Sequence, residues 1–299
     1  MNISDRQKYI GNTAIGLTGG AAAYVWVPQM LTKNYLDLCR KNGKRFTYQE
    51  NQEIWNGAQK AFQDSFLKDR KVELIDYNET NWEPIADKVV KLRRDFIKKT
   101  KNPFIKILSK TWPSDKEFKE RLYMYAEGKN ACYMPATSQI LVNKEKRGSA
   151  VFHEMGHATN AKGLGLGKIL AKTRGKATKL VPFAFCISIL TPKDREDSPT
   201  KNKIYKYLLD FKKNSGLIVS ACMLPMVIEE GIASLRGAEY AKKVLSPELY
   251  KKVNKSNLMA FSSYVVVTVL AGLGTTLANY IKDKVTGPLP AKTQTTDNA

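Results

Sequence analysis

The stretch Gly148-Ser149-Ala150-Val151-Phe152-His153-Glu154-Met155-Gly156-His157-Ala158-Thr159-Asn160 decides how this chain is read. Gly148 breaks what precedes it, and Ser149 is positioned to cap a helix that follows. At about 100° per residue, Val151, Met155 and Ala158 share one face and are expected to pack inward. His153 and His157 fall one turn apart on another face, where two imidazoles can grip a single ion. Glu154 lies between these faces, about 60° from His157, within reach of a water on that ion without being a ligand. The chain has only two histidines, and both sit in this motif. Chance would produce that arrangement about once in a few thousand chains. Zinc is the expected ion, because imidazole and carboxylate ligands in an open tetrahedral site suit it.

A catalytic zinc needs a third protein ligand and an open position. No histidine remains, so the ligand is Glu, Asp or Cys. The best candidate lies in Pro225-Met226-Val227-Ile228-Glu229-Glu230-Gly231-Ile232-Ala233-Ser234-Leu235-Arg236-Gly237-Ala238-Glu239-Tyr240, expected as a helix starting at or after Pro225. Glu230 shares its face with Ala233, Ser234, Gly237 and Ala241, and small residues let a second helix come close. Glu229 points instead toward Arg236 and Tyr240, a salt-bridge position. Glu230 is assigned as the third ligand, with Glu229 the alternative. Ser234, one turn on, is placed to orient the carboxylate. Tyr133, Arg236 and Tyr240 are candidates for stabilising an oxyanion.

Around this centre the pattern is mainly α with a small β element. Residues 33–129 form a basic region in which 47–127 reads as helical. Thr47-Tyr48-Gln49-Glu50 is a capping box before Ile54, Ala58, Ala61, Phe62 and Phe66. Pro84 opens a second helix with Val89, Leu92, Phe96 and Ile97, and Ser114 with Glu117 caps a third. Residues 130–255 form the catalytic region. In it, 131–143 reads as a turn and a short strand, Gln139–Val142, whose edge is expected to pair with an extended substrate.

Two uncharged stretches are long enough to cross a bilayer: 9–32, read as a retained anchor after an N-terminal segment 1–8, and 256–281. Within an apolar hairpin 180–228, the runs Leu180–Leu190 and Ser215–Ile228 are too short to span and read as re-entrant or as buried core. Lys33, Arg40, Lys41, Lys44 and Arg45 follow the first span, and Lys242, Lys243, Lys251, Lys252 and Lys255 precede the last. Both clusters place 33–255 on the cytoplasmic side of an inner or plasma membrane. The tail 282–299 reads as disordered.

Lys plus Arg number 49 against 28 Asp plus Glu, a net charge of +21. The basic residues are spread along the chain and sit beside acids, with no helix-turn-helix, zinc-finger or RNA-binding signature, so nucleic acid is not the expected partner. An anionic membrane surface is the better use of that charge. Cys39, Cys132, Cys186 and Cys222 form no CxxC pair and read as buried, reduced thiols.

These residues resemble the membrane-anchored bacterial zinc metallopeptidases of the YugP-like neutral type, and more distantly the HtpX and CAAX-prenyl protease group. There HExxH is followed, beyond an apolar hairpin, by a Glu-x-x-Ala-[Ser/Asp] segment supplying the third ligand; here it reads Glu230-Gly231-Ile232-Ala233-Ser234. The approach from Tyr133-Met134-Pro135 through Val142 is similar too. The resemblance spans roughly 130–240. It implies a zincin-like gluzincin domain, with an HExxH active-site helix and a second metal-ligand helix, flanked by transmembrane helices. The implied activity is hydrolysis of peptide or protein substrates by a zinc-bound water that Glu154 activates. The alternatives are an inactive zinc-binding membrane scaffold and a soluble or secreted metalloprotease.

Overall fold

The structure is a computed structural model that describes residues 3–42, 46–101, 106, 109, 113–194 and 202–288. It is mainly helical, with one three-stranded sheet. The chain divides into two compact units, Gly43–Lys172 with Ile228–Phe261, and Met1–Asn42 with Thr173–Val227 and Ser262–Ala299. From Gly43 onward the basic region therefore belongs to the unit that holds the histidines.

In that unit, helix α2 (Tyr48–Gln63) starts as its sequence predicts. The Thr47 side chain accepts from the Glu50 amide, and the Glu50 side chain accepts from the Thr47 amide. Ile54, Ala58, Ala61 and Phe62 are buried, whereas Phe66 lies beyond the helix and is exposed. A strand then interrupts the expected helical run. β1 (Glu73–Asp76) pairs in parallel with β3 (Gln139–Val142), which pairs antiparallel with β2 (Cys132–Met134). The order is β1-β3-β2. β3 is thus central, and both its edges are used. The expectation that a substrate adds to β3 is overturned, because Glu73–Asp76 occupies the edge that the sequence left open.

Helix α3 (Trp82–Lys99) begins two residues before Pro84, which its first turn accommodates. Of its expected inner face, Val89 is buried while Leu92 and Phe96 are exposed. Helix α4 (Asp115–Ala126) carries the capping box of Ser114 and Glu117 and packs on α3 through Leu122, Ala86 and Val89. A single turn, α5 (Lys144–Arg147), is capped by Asn143, whose Oδ1 accepts from the amides of Glu145 and Lys146 and whose Nδ2 donates to Ala126 O.

The chain enters α6 (Val151–Lys162) through a 3-10 turn, Gly148–Ala150. Ser149 is therefore not the cap. The backbone is already helical at Ala150, and the Val151 amide bonds back to Gly148 O. Val151, Met155 and Ala158 are fully buried, in one core with Ile54, Ile140 and Val142. Each large apolar side chain so buried contributes roughly 1.5–3 kcal/mol. The motif helix is thereby fixed by α2 and the sheet.

Helix α7 (Leu166–Ala177) precedes α8 (Leu180–Leu190) and α9 (Lys203–Lys213). α10 (Ser215–Val244) and α11 (Pro247–Thr286) are long and apolar enough to cross a membrane. α10 begins at Ser215 rather than at Pro225, which stands inside it. Proline removes one backbone donor there without ending the helix. The run Ser215–Ile228, too short alone, is thus part of a membrane-length helix. α1 (Ile3–Asn42) contains all of 9–32 and is long enough, but Asn12, Thr13, Gly16, Thr18, Gly19 and Gly20 leave it less apolar than α10 and α11.

In the second unit, α10 and α11 touch at Gly216 and Gly272, where a Cβ on either would lie 2.7 Å from the other's carbonyl oxygen. The apolar face of α8 is outward, with Leu180, Phe183 and Leu190 more than half exposed, so α8 is not a buried core helix. Cys186, also on α8, is exposed rather than buried; Cys132 and Cys222 are free thiols of intermediate burial. The side chain of Cys39 lies outside the described residues. Residues 282–286, expected in the tail, continue α11, and 289–299 lie outside the described residues.

Candidate metal centre

α6 and the second half of α10 meet backbone to backbone. A Cβ on Gly156 would stand 2.0 Å from Ala233 O, and one on Gly237 2.5 Å from Phe152 O. Only glycine permits that approach. Ala233 is fully buried between them. The small-residue face of α10 therefore seats Glu230 against the histidines.

Three donor atoms converge there. His153 Nε2 and His157 Nε2 are 3.0 Å apart, and Glu230 Oε2 lies 3.2 Å from the first and 3.3 Å from the second. All three side chains are buried. A tetrahedral ion with bonds of about 2.0–2.1 Å has ligand–ligand edges of about 3.3 Å. The triangle matches that size, and its donor set suits a metal ion.

The other ring nitrogens are held separately. His153 Nδ1 is 3.1 Å from Ser234 Oγ, and His157 Nδ1 is 2.9 Å from Glu229 Oε1. Ser234 therefore orients a histidine, not the Glu230 carboxylate. A carboxylate only accepts, so Nδ1 keeps its proton, and the metal-binding form of His157 is the one whose Nε2 presents a lone pair beside Glu230. Three lone pairs so close require a cation or protons among them. Burial opposes a charge on His157, but the hydrogen bonds it donates to Glu229 and Glu230 outweigh it and raise its pKa from 6.5 to about 10.

Glu229 does not pair directly with Arg236. Asn160 stands between them: its Nδ2 donates to Glu229 Oε1 at 2.9 Å, and its Oδ1 accepts from Arg236 Nη1 at 2.8 Å. Sequence reasoning gave Asn160 no role. Its signal was a polar residue about one turn after His157, on the helix face that carries both histidines.

Glu154 is buried, and its Oε2 accepts from the Tyr133 amide at 2.7 Å. One of its carboxylate oxygens and a ring nitrogen of each histidine lie within 4.8 Å of one another. It borders the donor triangle without belonging to it. Tyr133 meets the site through its backbone, while its side chain packs in the core with Ile54 and Phe152. Tyr240 Oη lies 3.0 Å from Thr159 Oγ1, on α6 beyond His157. Among the described residues, His153, Glu154, His157, Glu229 and Glu230 make up the buried clusters able to hold a metal ion. Comparison of the chain with protein-family models, curated proteins and solved structures found no match.

Proposed function

We propose that this chain is a zinc-dependent membrane metallopeptidase of zincin type, with His153, His157 and Glu230 as metal ligands and Glu154 as general base. The observation that carries this reading is the buried triangle of two Nε2 atoms and one carboxylate oxygen, with edges of 3.0–3.3 Å. Zinc held there would lower the pKa of a water toward neutrality and polarise a peptide carbonyl. Glu154 takes the proton of the attacking water on its carboxylate and returns it to the leaving amine. The Tyr133 amide fixes Oε2 and leaves Oε1 to carry that proton. An extended peptide would run along β2 beside Glu154, since β3 is paired on both sides. The membrane-length helices α10 and α11 and the exposed apolar face of α8 support a bilayer setting, and Lys242, Lys243, Lys251, Lys252 and Lys255 ahead of the uncharged stretch 256–281 favour the cytoplasmic side for the site.

Elemental analysis of the purified chain tests this. One zinc per chain is expected, with far weaker retention in His157→Ala and Glu230→Gln. A wild type that stays metal-free in excess zinc removes the proposal. The intact, anchored Glu154 favours turnover over an inactive zinc scaffold, and extraction only by detergent separates the membrane form from a soluble one.

Zinc uptake should also depend on pH in a definite direction. The metal-free protein holds a proton on His157 up to about pH 10, and zinc must displace it. Apparent affinity should rise about tenfold per pH unit from pH 6.5 toward 9. The raised pKa also stabilises the metal-free fold fully below pH 6.5, and that contribution fades as pH climbs through about 10. The melting temperature of the metal-free protein should accordingly fall over the range in which zinc binds more tightly. Zinc titrations and melts at pH 6.5, 7.5 and 8.5 check both trends; a flat affinity profile contradicts the proton on His157.

A further inference from the structure

We infer that Arg236, Asn160 and Glu229 form a positioning relay that holds His157 in its metal-binding tautomer and tunes how tightly the site grips its ion. The inference rests on the metal reading above. Each link is a hydrogen bond of ordinary length. Arg236 Nη1 donates to Asn160 Oδ1 at 2.8 Å, Asn160 Nδ2 donates to Glu229 Oε1 at 2.9 Å, and Glu229 Oε1 faces His157 Nδ1 at 2.9 Å. Asn160 and Glu229 are 0% and 1% exposed, so water does not substitute for either partner.

The polarity of the chain has one solution. A guanidinium only donates, so Asn160 must turn its oxygen to Arg236 and its amide hydrogens to Glu229. A carboxylate only accepts, so Glu229 must take the proton of His157 Nδ1, and Nε2 is left bare. No flip of the amide or the ring satisfies both ends. Glu229 thus sets the tautomer of His157, and Arg236, acting through Asn160, holds that carboxylate in place. The backbone of α7 supports the junction: a Cβ on Gly167 would come within 2.9 Å of Asn160 Oδ1 and 3.0 Å of Arg236 Nη1. Asn160 Nδ2 also reaches Glu229 O at 3.2 Å, tying α6 to α10 at this level.

The relay also sets charge. A divalent ion with Glu229, Glu230 and Glu154 ionised, and Arg236 charged, sums to zero. Neutralising Glu229 leaves one excess positive charge in a buried site, which disfavours the ion. Outer partners of this kind are worth about 10–100-fold in metal affinity.

The test is a zinc affinity measured by chelator competition on the full chain in detergent, for the wild type, Glu229→Gln, Arg236→Met and the double variant. Glu229→Gln should weaken zinc about 10–100-fold, and less than Glu230→Gln does. Arg236→Met should weaken it roughly 3–10-fold alone and add nothing once Glu229 is Gln, because coupled residues are not additive. A merely structural role for Arg236 would instead give additive losses. With cobalt in place of zinc, Glu229→Gln should shift the visible absorption of the ion, since the ligand strength of His157 changes. Unchanged affinity in Glu229→Gln, additive losses, or Glu229→Gln losing metal that Glu230→Gln retains each overturns the relay. A wild type that binds no zinc overturns the relay and the proposed function together; zinc on the wild type with unaffected variants overturns the relay alone. Should Glu229→Gln not fold, Arg236→Met against wild type still decides, unchanged affinity overturning the relay.

Discussion

On the proposed peptidase reading, Glu154→Gln is expected to lower peptide turnover by about 10³-fold while leaving one zinc bound. Glutamine has the shape of glutamate, and its carbonyl oxygen can still accept from the Tyr133 amide that now holds Glu154 Oε2 at 2.7 Å. The loop and helix should therefore stay in place. Glutamine has no useful proton affinity, so the attacking water keeps its proton and the leaving amine receives none. Glu154 lies outside the triangle formed by His153, His157 and Glu230, so metal retention should be untouched. Mass-spectrometric cleavage rates on a peptide mixture, paired with elemental analysis, give both numbers. Turnover near wild type would remove Glu154 from the mechanism. Loss of zinc would make it a ligand.

The motif helix was legible because its signal is local. Val151, Met155 and Ala158 repeat at helical spacing against an apolar core, and two histidines one turn apart need no distant partner to be recognised. Glu230 was legible through the small residues around it, which announce a close helix. What failed was non-local. β1 has four residues, Glu73-Leu74-Ile75-Asp76, with no alternation long enough to read, and it exists because β3 offers it a ladder. That pairing made β3 central and moved the available edge to β2. Ser149 looked like a cap because its residue type fits, but a 3-10 turn already satisfied the helix start. Pro225 looked like a helix start because the residue type favours one, yet the apolar run from Ser215 continues through it. Asn160 was silent because its meaning depends on Glu229 and Arg236, 69 and 76 residues away.

Gly156→Ala should damage the candidate metal centre more than its size suggests. Elsewhere in a helix, alanine in place of glycine is worth up to about 1 kcal/mol in favour of folding. At Gly156 the new methyl would lie 2.0 Å from Ala233 O and 2.7 Å from Ala233 C. These are backbone atoms that cannot swing aside, so α6 and α10 must separate. Overpacking of this kind costs about 1–3 kcal/mol and more where the backbone has to move. The separation would act directly on the contacts of His153 and His157 with Glu230, because the same two helices carry them. The melting temperature and the zinc affinity should therefore fall together. Gly175→Ala is the control: a Cβ there meets nothing within 4 Å, so the substitution should leave the melting temperature unchanged or raise it, with zinc binding intact. A stabilised Gly156→Ala that still binds zinc as wild type would mean that the helices do not meet as closely as this packing requires. The seat of Glu230 beside the histidines would then need another explanation.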